Sequence, residues 1–446
     1  MENKKSGFSS RLGFILASAG SAVGLGNLWR FPYLAAKYGG GIFLLVYLIL
    51  AVTFGFTLML TEFALGRKTR KSCLGAFGSL NKKWSFVGYL TTLVPIIIFP
   101  YYCVIGGWIT KFVSVYFTGN GRAAAADGYF GDFIGKTGQP LVFLFIFMAL
   151  TVIIIMCGVQ NGIEKISKIL MPILAVMTVV IAVYSLTLPG AMDGLIYYVK
   201  PNFELFSIKT SIAAMGQLFF SMSLAMGIMI TYGSYMNKKD DLEKSVRYIE
   251  VFDTIIAFLA GVMIIPAVFA FSGGDPNALQ QGTTLMFVTL PKVFDTMAGG
   301  QIIGAVFFVL VFLAALTSAV SVMEAIISAM MEKFHISRKM GSAIILIVAF
   351  IVAVPSSLGF GALSGIKLLG RDILDFFDFI SNNILMPVVG FLTCIFTAYV
   401  IKPKAIEDEI TSSGKFKFKG LYNVMIKFIA PAFLIVILIS SIIGYV

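Results

Sequence analysis

Eleven apolar stretches, each long enough to cross a hydrocarbon layer, leave this chain few possible folds. They run near residues 11–36, 42–66, 86–117, 140–157, 163–187, 210–235, 243–271, 300–333, 340–357, 370–400 and 421–445. A helix needs roughly 20 mostly apolar residues to span a bilayer. With 58% hydrophobic and 13% charged residues and a mean hydropathy of +0.93, the chain reads as an all-α integral membrane protein. In lipid each backbone polar group must find its partner within the protein, which selects helices for runs of this length.

The first stretch holds residues that an uninterrupted helix would avoid: Gly20-Ser21-Ala22-Val23-Gly24-Leu25-Gly26-Asn27-Leu28-Trp29-Arg30-Phe31-Pro32. Each glycine weakens a helix by about 1 kcal/mol relative to alanine. Charged groups at this depth are costly and usually functional. Close packing through Gly20 and Gly24 fits a small-residue contact but leaves Asn27 and Arg30 unexplained. The pattern predicts a broken helix lining a protected site. The sixth stretch repeats it with Phe220-Ser221-Met222-Ser223-Leu224-Ala225-Met226-Gly227. Matching interruptions predict a five-plus-five inverted repeat with the site between the halves. The halves fall at about 8–187 and 205–400 within a single domain of residues 1–446, and 421–445 is an added helix.

The net charge of +12 lies mainly in short loops, which argues for membrane orientation and against a nucleic-acid partner. The loop from Arg67 to Lys83 carries Arg67, Lys68, Arg70, Lys71, Lys82 and Lys83 and no acid. This asymmetry places the N-terminus in the cytoplasm. Met1-Glu2-Asn3-Lys4-Lys5 leads into the first span without a cleavage pattern, so no cleavable signal peptide is expected. Cys73, Cys103, Cys157 and Cys394 have no metal spacing, and His335 is the only histidine. Polar residues at depth include Glu62, Tyr101, Tyr102, Asp253, Thr317, Ser318, Ser321, Glu324, Asp375, Asp378, Asn382 and Asn383. No nucleophile or metal cluster accompanies Glu62 and Asp253, so an enzyme is not expected. Asp253 stands among Val251, Phe252, Ile255 and Ile256, where a carboxylate must neutralise or hold a cation. With no lysine or arginine at its depth, a bound cation is the expected solution.

These two stretches resemble the neurotransmitter:sodium symporter family, specifically its bacterial amino-acid members. Further motifs carry the resemblance across the chain: Arg11-Leu12-Gly13, Lys37-Tyr38-Gly39-Gly40-Gly41, Glu62-Phe63-Ala64-Leu65-Gly66, Tyr101-Tyr102, Ile230-Thr231-Tyr232-Gly233-Ser234-Tyr235 and Leu316-Thr317-Ser318. The resemblance implies a LeuT-like bundle with broken helices 1 and 6 plus an eleventh transmembrane helix. It implies Na⁺-coupled symport of a neutral hydrophobic or aromatic amino acid by alternating access, in a bacterial inner membrane. Two Na⁺ ions, the amino acid and the lipid bilayer are the implied partners, with no organic cofactor; monomer and homodimer are both left open. A transport-like amino-acid sensor and a proton-coupled amino-acid transporter of the same architecture are the alternatives.

By resemblance, sodium site 1 takes the Ala22 carbonyl, Asn27, Ser221 and Asp253. Site 2 takes the carbonyls of Gly20, Val23 and Ala314 with the hydroxyls of Thr317 and Ser318. Oxygen ligands suit a hard cation. The substrate pocket maps to Ala22, Leu25, Gly26, Ile98, Tyr102, Phe220, Ser221, Ser223, Met226, Ser318, Ala319 and Val322. Glycine at position 24, where monoamine carriers have Asp, leaves room for the substrate's own carboxylate. Chloride-dependent relatives carry a serine where Ala257 stands, so Asp253 is expected to supply the negative charge and make transport chloride-independent. Arg30 and Asp378 are implied to pair as an outer gate. Lys5 and Glu332 are implied to pair as an inner gate, near Ser234 and Tyr235 with Phe8 packed in.

Overall fold

The computed structural model describes residues 7–275, 278–279 and 282–444, and among these no strand forms. Nine continuous helices are long and apolar enough to cross a membrane: Gly41–Thr69, Lys82–Phe117, Gly138–Met156, Val159–Leu186, Leu242–Ser272, Gly300–Phe334, Arg338–Leu358, Ile373–Val400 and Lys419–Ile443. Each coincides within a few residues with an expected span. The first span is a bent pair, Arg11–Ala22 and Gly26–Lys37, with a 52° change of direction. The sixth is also two helices, Ile208–Ser221 and Ile228–Tyr235.

Local chemistry sets both breaks. Arg11–Ala22 starts at Ser10, whose hydroxyl accepts from the Gly13 amide at 3.1 Å, and ends where Val23 turns extended (φ −73°, ψ 94°). Ile208–Ser221 starts in a capping box between Ser207 and Thr210. Beyond Ser221 the chain leaves helical geometry, with Ser223, Ala225 and Gly227 at φ 51°, 60° and 74°. For a residue with a Cβ this left-handed region costs roughly 1–2 kcal/mol. Two contacts hold the strained stretch. The Ala225 amide donates to Glu62 Oε1 at 2.7 Å, and the Ser223 hydroxyl donates to the Ser21 carbonyl at 3.0 Å. The opened backbone is thereby satisfied by protein, as a membrane interior requires.

The breaks sit in the middle of the bundle. The third span packs on the eighth, Gly300–Phe334, and beside both breaks, with 83% of its most apolar window buried. Only 33% is buried in the corresponding windows of Val159–Leu186 and Arg338–Leu358, which therefore lie at the periphery. Their exposed Val176, Val183, Ile347 and Ile351 suit contact with lipid.

Candidate functional site

Between the breaks lies a cavity with an empty volume of about 360 Å³. Ser21, Ala22, Gly24, Leu25 and Gly26 line it from the first span, with Phe220, Ser221, Ser223 and Met226 from the sixth. Ile98 and Tyr102 of the third span and Ser318 and Val322 of the eighth complete the wall. The cavity thus gathers the expected pocket residues except Ala319. Ser318 and Val322 are four residues apart and share a helix face, whereas Ala319, turned by about 100° from Ser318, is fully buried outside the lining. One end is polar, with the Tyr102 and Ser318 hydroxyls beside Gly24. A Cβ on Gly24 would stand 3.3 Å from Ser318 Oγ and 3.5 Å from the Tyr102 hydroxyl oxygen. Ile98, Phe220, Met226 and Val322 give the cavity apolar walls, and no charged side chain is among the lining residues.

Beside the cavity, three side chains converge from three spans. Asn27 Nδ2 donates to Asp253 Oδ1 at 2.8 Å, and the Ser221 hydroxyl lies 3.2 Å from both Asn27 Oδ1 and Asp253 Oδ2. All three are buried. The result is a compact oxygen-rich cluster built around one carboxylate, and its Ser221 lines the cavity together with Ala22, the last residue of Arg11–Ala22. These are hard ligands of the kind an alkali or alkaline-earth ion prefers. On the other flank, Thr317 Oγ1 donates to the carbonyls of Leu313 and Ala314 at 3.0 and 3.1 Å. A Cβ on Gly20 would stand 3.3 Å from Thr317 Cβ, so Gly20, Ala314 and Thr317 also meet, with Ser318 next to Thr317 and Val23 three residues beyond Gly20 in sequence. This second cluster is neutral.

The expected gates are only partly assembled. Among the described residues no direct ion pair joins Arg30 to Asp378. The Arg30 guanidinium lies over the Phe220 ring at 5.2 Å, and Asp378 Oδ1 accepts from Asn382 Nδ2 at 2.6 Å. The cation has taken an aromatic face and the carboxylate an amide one turn along its own helix. At the end of the molecule where the N-terminus lies, Lys5 is outside the described residues. Glu332 accepts from the Ser72 amide at 2.8 Å. Phe8 packs edge-on against Phe14, Tyr232 and Tyr235 at 5.6, 5.5 and 6.3 Å. Ser234 turns its hydroxyl to the Thr231 carbonyl at 2.7 Å. The Tyr235 hydroxyl donates to Glu324 Oε1 at 2.7 Å, and Glu324 is in turn paired with Arg338.

Sequence reasoning missed several contributors. Ser21 lines the cavity through the partner it offers Ser223. Gln217 Nε2 donates to the Gly26 carbonyl at 3.0 Å, fastening one break to the other span. Its polarity one turn before Ser221 on an apolar face was the available signal. The link between Tyr235 and the Glu324–Arg338 pair had none, because those residues are far apart in the chain.

Two broken helices, a cavity between them with polar and apolar walls and a carboxylate-bearing oxygen cluster at mid-bundle define a membrane transporter of the inverted-repeat class. Its sequence matches the Sodium:neurotransmitter symporter family over residues 5–125 and 128–446. The chain belongs to that family, whose members are sodium-dependent symporters. It is 34% identical to an uncharacterized sodium-dependent transporter of Haemophilus influenzae, with 97% of each chain covered. It is also 34% identical to the uncharacterized sodium-dependent transporter YhdH of Bacillus subtilis, covering 99% of this chain and 98% of that one. The crystal structure of MhsT in complex with L-phenylalanine matches at a TM-score of 0.89 and 38% identity, covering 98% of this chain and 100% of that one.

Proposed function

We propose that this chain carries a large neutral amino acid, hydrophobic or aromatic, into the cytoplasm together with Na⁺. The observation that supports this most is the polarity of the cavity. Its Gly24 end suits the substrate carboxylate, with the Tyr102 hydroxyl and the amides of Leu25 and Gly26 as donors. Its Ser223 region and opened carbonyls suit the ammonium, and Ile98, Phe220, Met226 and Val322 suit an apolar side chain. The related MhsT is described with L-phenylalanine, which fits the same expectation. A pocket without charged walls has nothing to pair an acidic or basic side chain. One methylene in such a pocket is worth only about 1–3 kcal/mol, so several substrates are expected to be accepted.

Two Na⁺ ions would bind, one at Ala22, Asn27, Ser221 and Asp253 and one at Gly20, Val23, Ala314, Thr317 and Ser318. Asp253 makes the first site anionic, which supports chloride-independent transport. The N-terminus faces the cytoplasm of a bacterial inner membrane. Residues 8–187 and 205–400 act as the two repeats. Arg30 and Asp378, with Tyr102 and Phe220, form the outer gate; Lys5 and Glu332, with Phe8, Ser234 and Tyr235, form the inner one.

The test is uptake of radiolabelled leucine, phenylalanine and tryptophan into proteoliposomes under an inward Na⁺ gradient, against K⁺ and choline controls. Accumulation only with Na⁺, equal in chloride and gluconate, is expected. Accumulation without Na⁺ overturns the ion assignment, and loss of uptake in gluconate overturns chloride independence.

A further inference from the structure

The loop from Arg67 to Lys83 is rich in cations and free of acids, and the bundle itself uses its two arginines. Arg67 pairs with Glu409, and Arg70 donates to the carbonyls of Ser234 and Met236 at 3.1 and 2.5 Å. Lys82 and Lys83 stand exposed in a tight turn, Lys82–Trp84, at the foot of the third span. Hydrogen bonds fix this turn. The Asn81 side chain accepts from the Lys83 amide at 3.0 Å, and the Ser85 hydroxyl donates to the Lys82 carbonyl at 2.8 Å. A third ammonium comes from the end of the eighth span, where Lys333 Nζ donates to the Tyr89 hydroxyl at 3.0 Å. No ion pair reaches Lys82, Lys83 or Lys333 from any described residue. Glu332, beside Lys333 in the chain, accepts from the Ser72 amide.

An apolar stripe leads away from these cations into the membrane. Phe86, Tyr89, Leu93 and Ile96 are all exposed and recur at three- and four-residue spacing, so they share one face of the third span. Trp84 is half-buried at the foot of the stripe, its ring 5.7 Å from Phe86 and 5.5 Å from Phe396 of the tenth span. Its indole N–H donates to no described residue. Rings with one polar edge settle at the level of the lipid headgroups. From Lys83 to Tyr89 the helix rises about 9 Å. The headgroup layer is about 5–8 Å deep on each side of a bilayer. The two lysines and the Lys333–Tyr89 pair therefore bracket that layer, and Leu93 and Ile96 lie against acyl chains. Membrane orientation asks only for positive charge on this side. It does not ask for a fixed turn, a free indole donor and an apolar track in line with them.

We propose that the turn Lys82–Trp84 and the stripe beside it bind one anionic phospholipid from the leaflet on the N-terminal side. The ammonium groups of Lys82 and Lys83 take the phosphate in charge-assisted hydrogen bonds, and the Trp84 indole N–H adds a neutral donor. Lys333 supplies positive charge at the inner edge of the headgroup, and an acyl chain lies along Leu93 and Ile96. The occupant is a lipid and not a free phosphate, because the apolar stripe continues directly from the cations. The bound lipid ties the foot of the third span, which carries Ile98 and Tyr102 of the cavity, to the ends of the eighth and tenth spans. The inference does not depend on which substrate or coupling ion is carried.

The test uses the full-length protein in phosphatidylcholine bilayers, with tryptophan emission as the readout. Phosphatidylglycerol or phosphatidylcholine brominated high on the acyl chain is titrated in, since bromine quenches an indole it touches. In the wild type, half-maximal quenching is expected at a mole fraction of phosphatidylglycerol about tenfold or more below that of phosphatidylcholine, as two lysines at a membrane surface imply. Trp84→Phe, which leaves Trp29 and Trp108 as reporters, is expected to lose this difference. Lys82→Gln with Lys83→Gln is expected to lose it at an unchanged melting temperature. Lys415→Gln with Lys417→Gln, which removes two exposed lysines before the last span, should keep it. Equal quenching by the two lipids in the wild type overturns the inference, as does a preference that survives in Trp84→Phe or in the Lys82 and Lys83 double variant. Loss of the preference in the Lys415 and Lys417 double variant reduces it to attraction by the whole charged surface and also overturns the site. Glycerol phosphate added to the water is expected to leave the quenching unchanged; relief of quenching overturns the lipid as occupant.

Discussion

Single atoms decide what can enter the cavity. Gly24 faces Ser318 Oγ and the Tyr102 hydroxyl at distances a methyl group can tolerate, so Gly24→Ala should fold. It narrows the space for the substrate carboxylate, and a several-fold rise in the substrate concentration needed for half-maximal uptake is expected. Gly24→Asp puts a fixed carboxylate where the substrate's own must lie, and amino-acid uptake should be lost while the protein still purifies as a folded species. Asp253→Asn keeps the shape of the Asn27–Ser221 cluster but removes its charge. A contact to a charged group is worth about 1.5–3 kcal/mol. The Na⁺ concentration supporting half-maximal phenylalanine binding should therefore rise roughly ten- to hundredfold.

At the level of the helices, the two interruptions depend on backbone geometry that few residues adopt. Gly227 sits at φ 74°, and a Cβ there would stand 2.8 Å from Cys73 Cβ and 3.0 Å from Thr91 Cγ2. Gly227→Ala combines left-handed strain of about 1–2 kcal/mol with overpacking. A lower melting temperature in detergent and loss of uptake are expected together. The inner end of the first span offers a separate check. Lysine lacks the bidentate fork of arginine, so a Lys5–Glu332 gate should be comparatively loose. Disrupting either residue should increase labelling of an introduced cysteine facing the cytoplasmic pathway; unchanged labelling removes Lys5 and Glu332 from the gate.

Across the whole molecule, the second span is tied to the helix Lys404–Thr411, which links the tenth and last spans. Arg67 is fully buried; its Nε lies 2.7 Å from Glu409 Oε1, and its Nη1 reaches the Asp240 carbonyl at 2.8 Å and the Ser413 hydroxyl at 2.9 Å. Removing one partner strands a buried charge, which typically costs about 3–5 kcal/mol, whereas replacing both with apolar residues is often neutral. Glu409→Ala should lower the melting temperature markedly, and Arg67→Met with Glu409→Leu should recover most of it.

Hydropathy alone located the spans, because the bilayer tests each segment separately and the signal is local. Arg338–Leu358 was legible as 340–357 and Gly138–Met156 as 140–157. The breaks were legible for a related reason: glycine, asparagine and serine at membrane depth contradict the helix around them. Which side chains meet across the breaks was decided by packing. Arg30 rests on Phe220 and not on Asp378, Ala319 is buried outside the cavity lining, and Gln217 reaches the Gly26 carbonyl. The Tyr235–Glu324 and Arg67–Glu409 contacts likewise join residues distant in the chain. Such contacts depend on helix rotation and register within the assembled bundle, and only the tertiary structure sets those.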